Sequence, residues 1–131
     1  MNPVVHFELP MNDRERGKKF YTQAFGWKLQ QFGPEMQNYV VAQTDVTDEK
    51  GMLQETNRIN GGLYEKTPEM GEQHPSVVIG VGDINAAIEK VKAAGGTVMG
   101  EPIDIPTIGM YVAFTDTEGN RLSMLQPSNP M

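Results

Sequence analysis

His6 and Glu8, one residue apart in Val4-Val5-His6-Phe7-Glu8-Leu9, are the side chains with the clearest capacity for chemistry. Val5, Phe7 and Leu9 alternate with Val4, His6 and Glu8. A strand's period of two therefore puts imidazole and carboxylate on one face and a greasy surface on the other. An inward-facing pair of this kind is costly unless it is wet or hydrogen-bonded. It reads as the polar floor of a cavity, as a buried hydrogen-bonded pair without chemistry, or as a dyad for proton transfer. His74 stands in a Gly-Glu-Gln-His-Pro segment, where a solvated histidine is the ordinary expectation. With Glu65 it would complete an unorthodox divalent-metal site around His6 and Glu8. Trp27, Tyr39, Tyr64, Met110, Tyr111, Phe114 and Met124 fall on expected strands. Some of them must face inward, giving the apolar wall with a few polar groups that small organic ligands use. Most of the nine methionines serve equally well as core filler. Gln126 is placed at the cavity mouth, and Asn120 and Arg121 on a surface turn.

The rest of the composition narrows what such a cavity can serve. The 131 residues suit one compact domain. A formal net charge of −6, with no run of Lys or Arg, argues against nucleic acid and against anionic membrane surfaces. A neutral or cationic small ligand is compatible with it. The absence of cysteine excludes disulfides, a thiolate nucleophile and Cys-ligated zinc or iron–sulfur sites. The opening MNPVVHFELP has no basic region followed by a long apolar one, and no apolar run approaches a membrane span. The expected location is the cytoplasm.

The elements that must position these residues are written twice. Residues 13–26 followed by Trp27-Lys28-Leu29, and residues 83–96 followed by Thr97-Val98-Met99, repeat at an offset of 70. In both copies a β-rich run leads to an acidic helix start, an amphipathic helix, a glycine stop and a new strand. In the first copy Asn12 and Glu15 have capping-box spacing, and Gly17, Phe20, Tyr21 and Ala24 form the helix stripe. Strands are expected at 27–32, 37–43 and 61–66, with a Gly33-Pro34 turn. In the second copy Val77, Ile79 and Val81 alternate, Asp83 caps the helix, and Ile84, Ala87, Ile88 and Val91 mark its buried face. Strands follow at 97–100, 110–114 and 122–126. Residues 45–60 read as a loop or a lid, and 67–75 as a linker rich in Pro, Glu and Gly.

VVHFELPMNDRERGKKFYTQAFGW, GDINAAIEKVKAAGG and FTDTEGNRLSMLQP, in this order around the internal repeat, resemble the glyoxalase, bleomycin-resistance protein and extradiol dioxygenase superfamily. The resemblance covers nearly the whole chain. It implies an α+β fold of two βαβββ modules, about 1–66 and 76–128, forming a curved, eight-stranded, partly open barrel with the helices outside. A ligand cavity is expected on the concave side, and pairing into homodimers.

Metal-dependent members of this superfamily place His or Glu on the first and last strands of each module. His6, seven residues before Asp13, matches the first such position, and the offset of 70 brings the third to Ser76. The last-strand pattern Gly-Asn-x-x-Glu reads here Gly119-Asn120-Arg121-Leu122-Ser123, without its carboxylate. On the fourth strand Gly61-Gly62-Leu63-Tyr64 supplies no ligand, and Glu65 is the acid nearby. His6 alone is a clear match, so neither metal nor other cofactor is expected. The reading is a small-molecule-binding protein of the glyoxalase fold with no complete metal site, contacting its ligand through His6, Glu8, Trp27, Tyr39, Tyr64, Ser76, Tyr111 and Ser123. The competing reading is a divalent-metal-dependent lyase or isomerase-like enzyme, or one of dioxygenase type, using His6 and non-standard donors. A third, a partner-binding module, requires a cavity packed shut by aromatics.

Overall fold

Both helices start from an aspartate whose carboxylate satisfies backbone N–H groups that the first turn leaves without partners. In this computed structural model, which describes residues 1–45, 58–68 and 73–128, helix α1 (Arg14–Phe25) is capped by Asp13, which accepts from the Arg16 amide at 3.0 Å. The cap is thus Asp13 and not Asn12. Helix α2 (Ile84–Ala93) is capped by Asp83, which accepts from the Asn85 and Ala86 amides at 3.1 and 3.2 Å. Gly26, at φ 74°, ends α1 in the left-handed conformation that glycine adopts without penalty, its N–H bonding Thr22 O.

The chain divides into two compact units, His6–Pro75 and Met1–Val5 with Ser76–Met131. The first carries β1 (Val4–Met11) from His6 onward, β2 (Lys28–Gln31), β3 (Val40–Gln43) and β4 (Asn60–Glu65), in the order β2-β3-β4-β1. β1 and β4 run parallel and the other neighbours antiparallel. The second carries β5 (Ser76–Gly80), β6 (Thr97–Ile105), β7 (Gly109–Thr115) and β8 (Arg121–Pro127), in the order β5-β8-β7-β6. Here β5 and β8 are the parallel pair, and the Gly80 N–H donates to Pro3 O at 2.8 Å.

Each unit has its own core on the helix side of its sheet. In the first, Val40, Ala42 and Leu63 are fully buried, with Phe7, Leu9, Met11, Tyr21, Trp27 and Leu29 packed around them. The Tyr21 and Trp27 rings stack with centroids 4.8 Å apart, and Phe7 meets Trp27 at 5.5 Å. In the second, Ile84 and Ile88 of α2 pack with Val81, Val112, Phe114 and Met124. The greasy alternation expected for β1 and β5 is therefore the face against the helices.

Two boundaries differ from expectation. Proline starts a 3-10 turn at Pro34–Met36, and Gln37 and Asn38 follow at φ 57° and 56°, so β3 begins only at Val40. β6 runs on to Ile105 because a register shift between Met99 and Ile103 lets pairing with β7 resume. Residues 46–57 of the expected loop or lid and 69–72 of the expected linker lie outside the described residues.

Leu63 is fully buried between β3 and β1, so Leu63→Ala leaves a cavity the sheet cannot close. The expected cost is about 2–5 kcal/mol, read in urea unfolding by the fluorescence of Trp27, the one tryptophan of the chain.

Candidate functional site

With Phe7, Leu9, Leu29, Val40, Ala42 and Leu63 committed to the helix side, the residues alternating with them occupy the opposite face. β1 offers His6 and Glu8 there, paired in register with Asn60 and Gly62 of β4. Gly62 pairs in turn with Val41 of β3, and Tyr39, two residues before Val41, shares its face. The Tyr39 hydroxyl lies 3.3 Å from His6 Nε2. Gly62 makes that contact possible, since a Cβ there would overlap the Tyr39 hydroxyl and ring. Burial of the imidazole removes the water that would solvate its cation, lowering the His6 pKa from 6.5 to about 4. At neutral pH His6 is an uncharged group with one donor and one acceptor nitrogen.

In the other unit the equivalent face carries Val78, Ser123 and Tyr111. Ser123, 3% exposed, shares a 2.6 Å hydrogen bond with the Tyr111 hydroxyl. The two arrangements are the same arrangement. The helix caps Asp13 and Asp83 set Glu8 equivalent to Val78, both five residues upstream. Glu8 pairs with Gly62 and Val78 with Ser123, while Gly62 pairs with Val41 and Ser123 with Ala113. Gly62 is therefore the counterpart of Ser123, and Tyr39 the counterpart of Tyr111. Each module sets a tyrosine hydroxyl at the place where the resemblance implies a carboxylate ligand.

The four positions implied for a metal thus hold His6, Gly62, Ser76 and Ser123. One imidazole, two hydroxyls and a residue without a side chain do not fit zinc, nickel or iron. Nor are the non-standard donors brought to His6. Glu65 pairs in register with Met11 on the helix side and makes a 2.7 Å ion pair with Arg14, and His74 is exposed. Among the described residues no group of three or more His, Cys, Asp or Glu is placed to hold a metal ion.

Among the other expected ligand contacts, Tyr64 shares the face of His6, in register with Pro10, and Ser76 opens β5. Trp27 does not join them. It precedes β2 and stacks on Tyr21 of α1, so the structure assigns it to the core and away from the ligand wall. Gln126 does not line a cavity mouth, because its Oε1 accepts from the Ile84 N–H at 2.9 Å and so helps cap α2. The sequence marks Gly62 as a position without a ligand, and an adjacent glycine pair signals a close approach without saying what approaches.

Residues 4–124 match the Glyoxalase/Bleomycin resistance protein/Dioxygenase superfamily. The chain belongs to this superfamily. A glyoxylase-like domain-containing protein of Didymella fabae is 32% identical over 124 residues, covering 89% of this chain and 88% of that protein. A protein of Vibrio cholerae named a probable lactoylglutathione lyase is 29% identical, covering 94% and 89%. Among solved structures, Streptomyces coelicolor methylmalonyl-CoA epimerase in complex with 2-nitronate-propionyl-CoA matches with a TM-score of 0.69 at 16% identity, covering 96% of this chain and 97% of that one. At that identity the likeness is one of fold. The α+β class with eight strands and two helices is thus the superfamily's own. No helix among the described residues is long and apolar enough to cross a membrane.

Two expectations follow for this glyoxalase-superfamily chain. The unfolded state binds a proton on His6 near pH 6.5 and the folded state only near 4. Stability at neutral pH is therefore lost as pH falls through that window, by up to about 3 kcal/mol. Urea midpoints between pH 7 and 4 should show the decline, and a His6→Gln variant should flatten it. Gly62→Ala should destabilise by about 1–3 kcal/mol through overpacking against Tyr39. A double-mutant cycle with Tyr39→Ala should recover most of that loss.

Proposed function

We propose that this member of the glyoxalase superfamily binds a small organic molecule against the sheet faces turned from its helices, and does so without the superfamily's metal centre. The observation that carries the reading is the pair of equivalent tyrosines, Tyr39 over Gly62 beside His6 and Tyr111 bonded to Ser123. A phenol hydroxyl both donates and accepts, and its ring offers an apolar surface, so it suits recognition of a neutral organic group better than chelation of an ion. On this reading His6, Glu8, Tyr39 and Tyr64 contact ligand in one module, and Ser76, Tyr111 and Ser123 in the other. The proposed location is the cytoplasm, the proposed homodimer follows the superfamily resemblance, and sequestration of the ligand requires no catalysis.

The name of the Vibrio cholerae relative favours a second reading, a lyase or isomerase. The donor set argues against the metal such an enzyme would use.

Metal loading separates the two. The purified protein is incubated with Zn²⁺, Ni²⁺, Mn²⁺ or Fe²⁺, desalted and analysed by inductively coupled plasma mass spectrometry. The expected result is no stoichiometric retention of any of them. One tightly held equivalent that disappears in a His6→Ala variant would overturn the proposal in favour of the enzyme.

A further inference from the structure

We infer that the His6–Pro75 unit selects an uncharged molecule bearing several hydroxyl or amide groups, which it recognises on the face of β1 to β4 turned away from α1. The inference rests on the small-molecule reading above and names the ligand class for one of its two faces.

The register builds the patch. Lys28 and Gln30 of β2 alternate with Leu29 and stand opposite Gln43 and Val41 of β3. Asn60 and Tyr64 of β4 alternate with the Gly61 and Leu63 positions of the helix side and stand opposite His6 and Pro10 of β1. With Leu29, Ala42 and Leu63 committed to the core, the other face collects Gln30, Gln43, Asn60, His6, Tyr39 and Tyr64. Three amides, two phenols and an imidazole thus share one sheet face, all of them half-buried except the exposed Gln30. Two of the amides are also held in place: Asn60 Oδ1 accepts from the Thr44 N–H at 3.0 Å, and Gln43 Nε2 donates to Asp45 O at 3.2 Å.

Charge then decides the ligand class. A carboxylate or phosphate brought to such a face needs a cation to replace its water. Lys28 lies on the exposed edge strand, where solvent screens it. Among the described residues, Lys66 just past β4 is likewise exposed, while Arg14 pairs with Glu65, Arg58 with Asp45, and Lys18 with Glu15 and Gln31. The central charge on the face is Glu8, which repels anions and is itself engaged within the fold. Amides, phenols and neutral imidazole each donate and accept, which matches hydroxyl and amide groups that do the same and leaves an acceptor-only carboxylate half matched.

The test is a ¹H–¹⁵N correlation titration of the full chain with matched probes: lactamide against lactate, glucose against glucose 6-phosphate, and choline as a cation. The neutral probes are expected to shift the amides of His6, Tyr39, Gln43, Asn60 and Tyr64, with each matched anion at least about tenfold weaker. Equal or tighter binding of an anion, or of choline, at those amides overturns the inference. Shifts confined to Ser76, Tyr111 and Ser123 also overturn it while leaving the small-molecule reading intact. No shift with any probe at its solubility limit counts against both.

Discussion

A β-strand presents a Cβ to each face in turn, and at Gly61-Gly62 of β4 it presents one to neither. A ring fills each gap. On the helix side Phe7 lies where a Cβ on Gly61 would be, and on the other side Tyr39 lies where a Cβ on Gly62 would be. Phe7 meets Trp27, and Trp27 stacks on Tyr21 of α1, so the seating of the helix begins at Gly61. The contact between Tyr39 and His6 begins at Gly62. Glycine inside a strand costs about 0.5–1 kcal/mol in backbone entropy, and here the packing of two aromatic rings offsets it.

The internal repeat shows what that constraint does to function. Counterpart positions hold the same tyrosine in both modules, but the residue beneath it differs. Over Ser123 the Tyr111 hydroxyl shares a 2.6 Å hydrogen bond with a buried serine. Over Gly62 nothing stands in the way, and the hydroxyl reaches across to the next strand and His6. A carboxylate side chain at position 62 would have to pass through the space Tyr39 occupies. The tyrosine and a carboxylate ligand are therefore alternatives at this position, and the chain carries the tyrosine.

The sequence made the framework legible because its signals are local. Asp83, the stripe of α2 and the glycine stops are read from neighbours a few residues away, and they reappear as a cap, a packed face and turns; of the α1 stripe Tyr21 packs on the core, whereas Phe20 is 56% exposed and Ala24 is exposed too. The misread boundaries have local physical causes of their own. The Pro34 turn consumed the start of the third strand, and the register shift after Met99 lengthened the sixth. The site was less legible, because residue type does not declare which face a side chain takes. Trp27 suits a ligand wall and a core equally well, and only its stack on Tyr21 assigns it to the core. The equivalence of Gly62 with Ser123 depends on register between strands distant in sequence, which no local pattern encodes.

Neutrality of His6 does not by itself separate a ligand-binding face from a metal site, since a metal-bound imidazole is neutral too. The partner of its Nε2 bears on which nitrogen an ion could use. If the Tyr39 hydroxyl donates to Nε2, that lone pair is already shared; if Nε2 carries the proton and donates to the hydroxyl, it has no lone pair to give. In the first tautomer Nδ1 carries the ring proton and has no lone pair to offer; in the second Nδ1 alone has one. An ion using Nε2 would have to displace a phenol that Gly62 and the preceding left-handed residues Gln37 and Asn38 hold in place. The same hold keeps a hydroxyl and an imidazole side by side, so the tyrosine, as much as the histidine, sets the hydrogen-bonding character of the face.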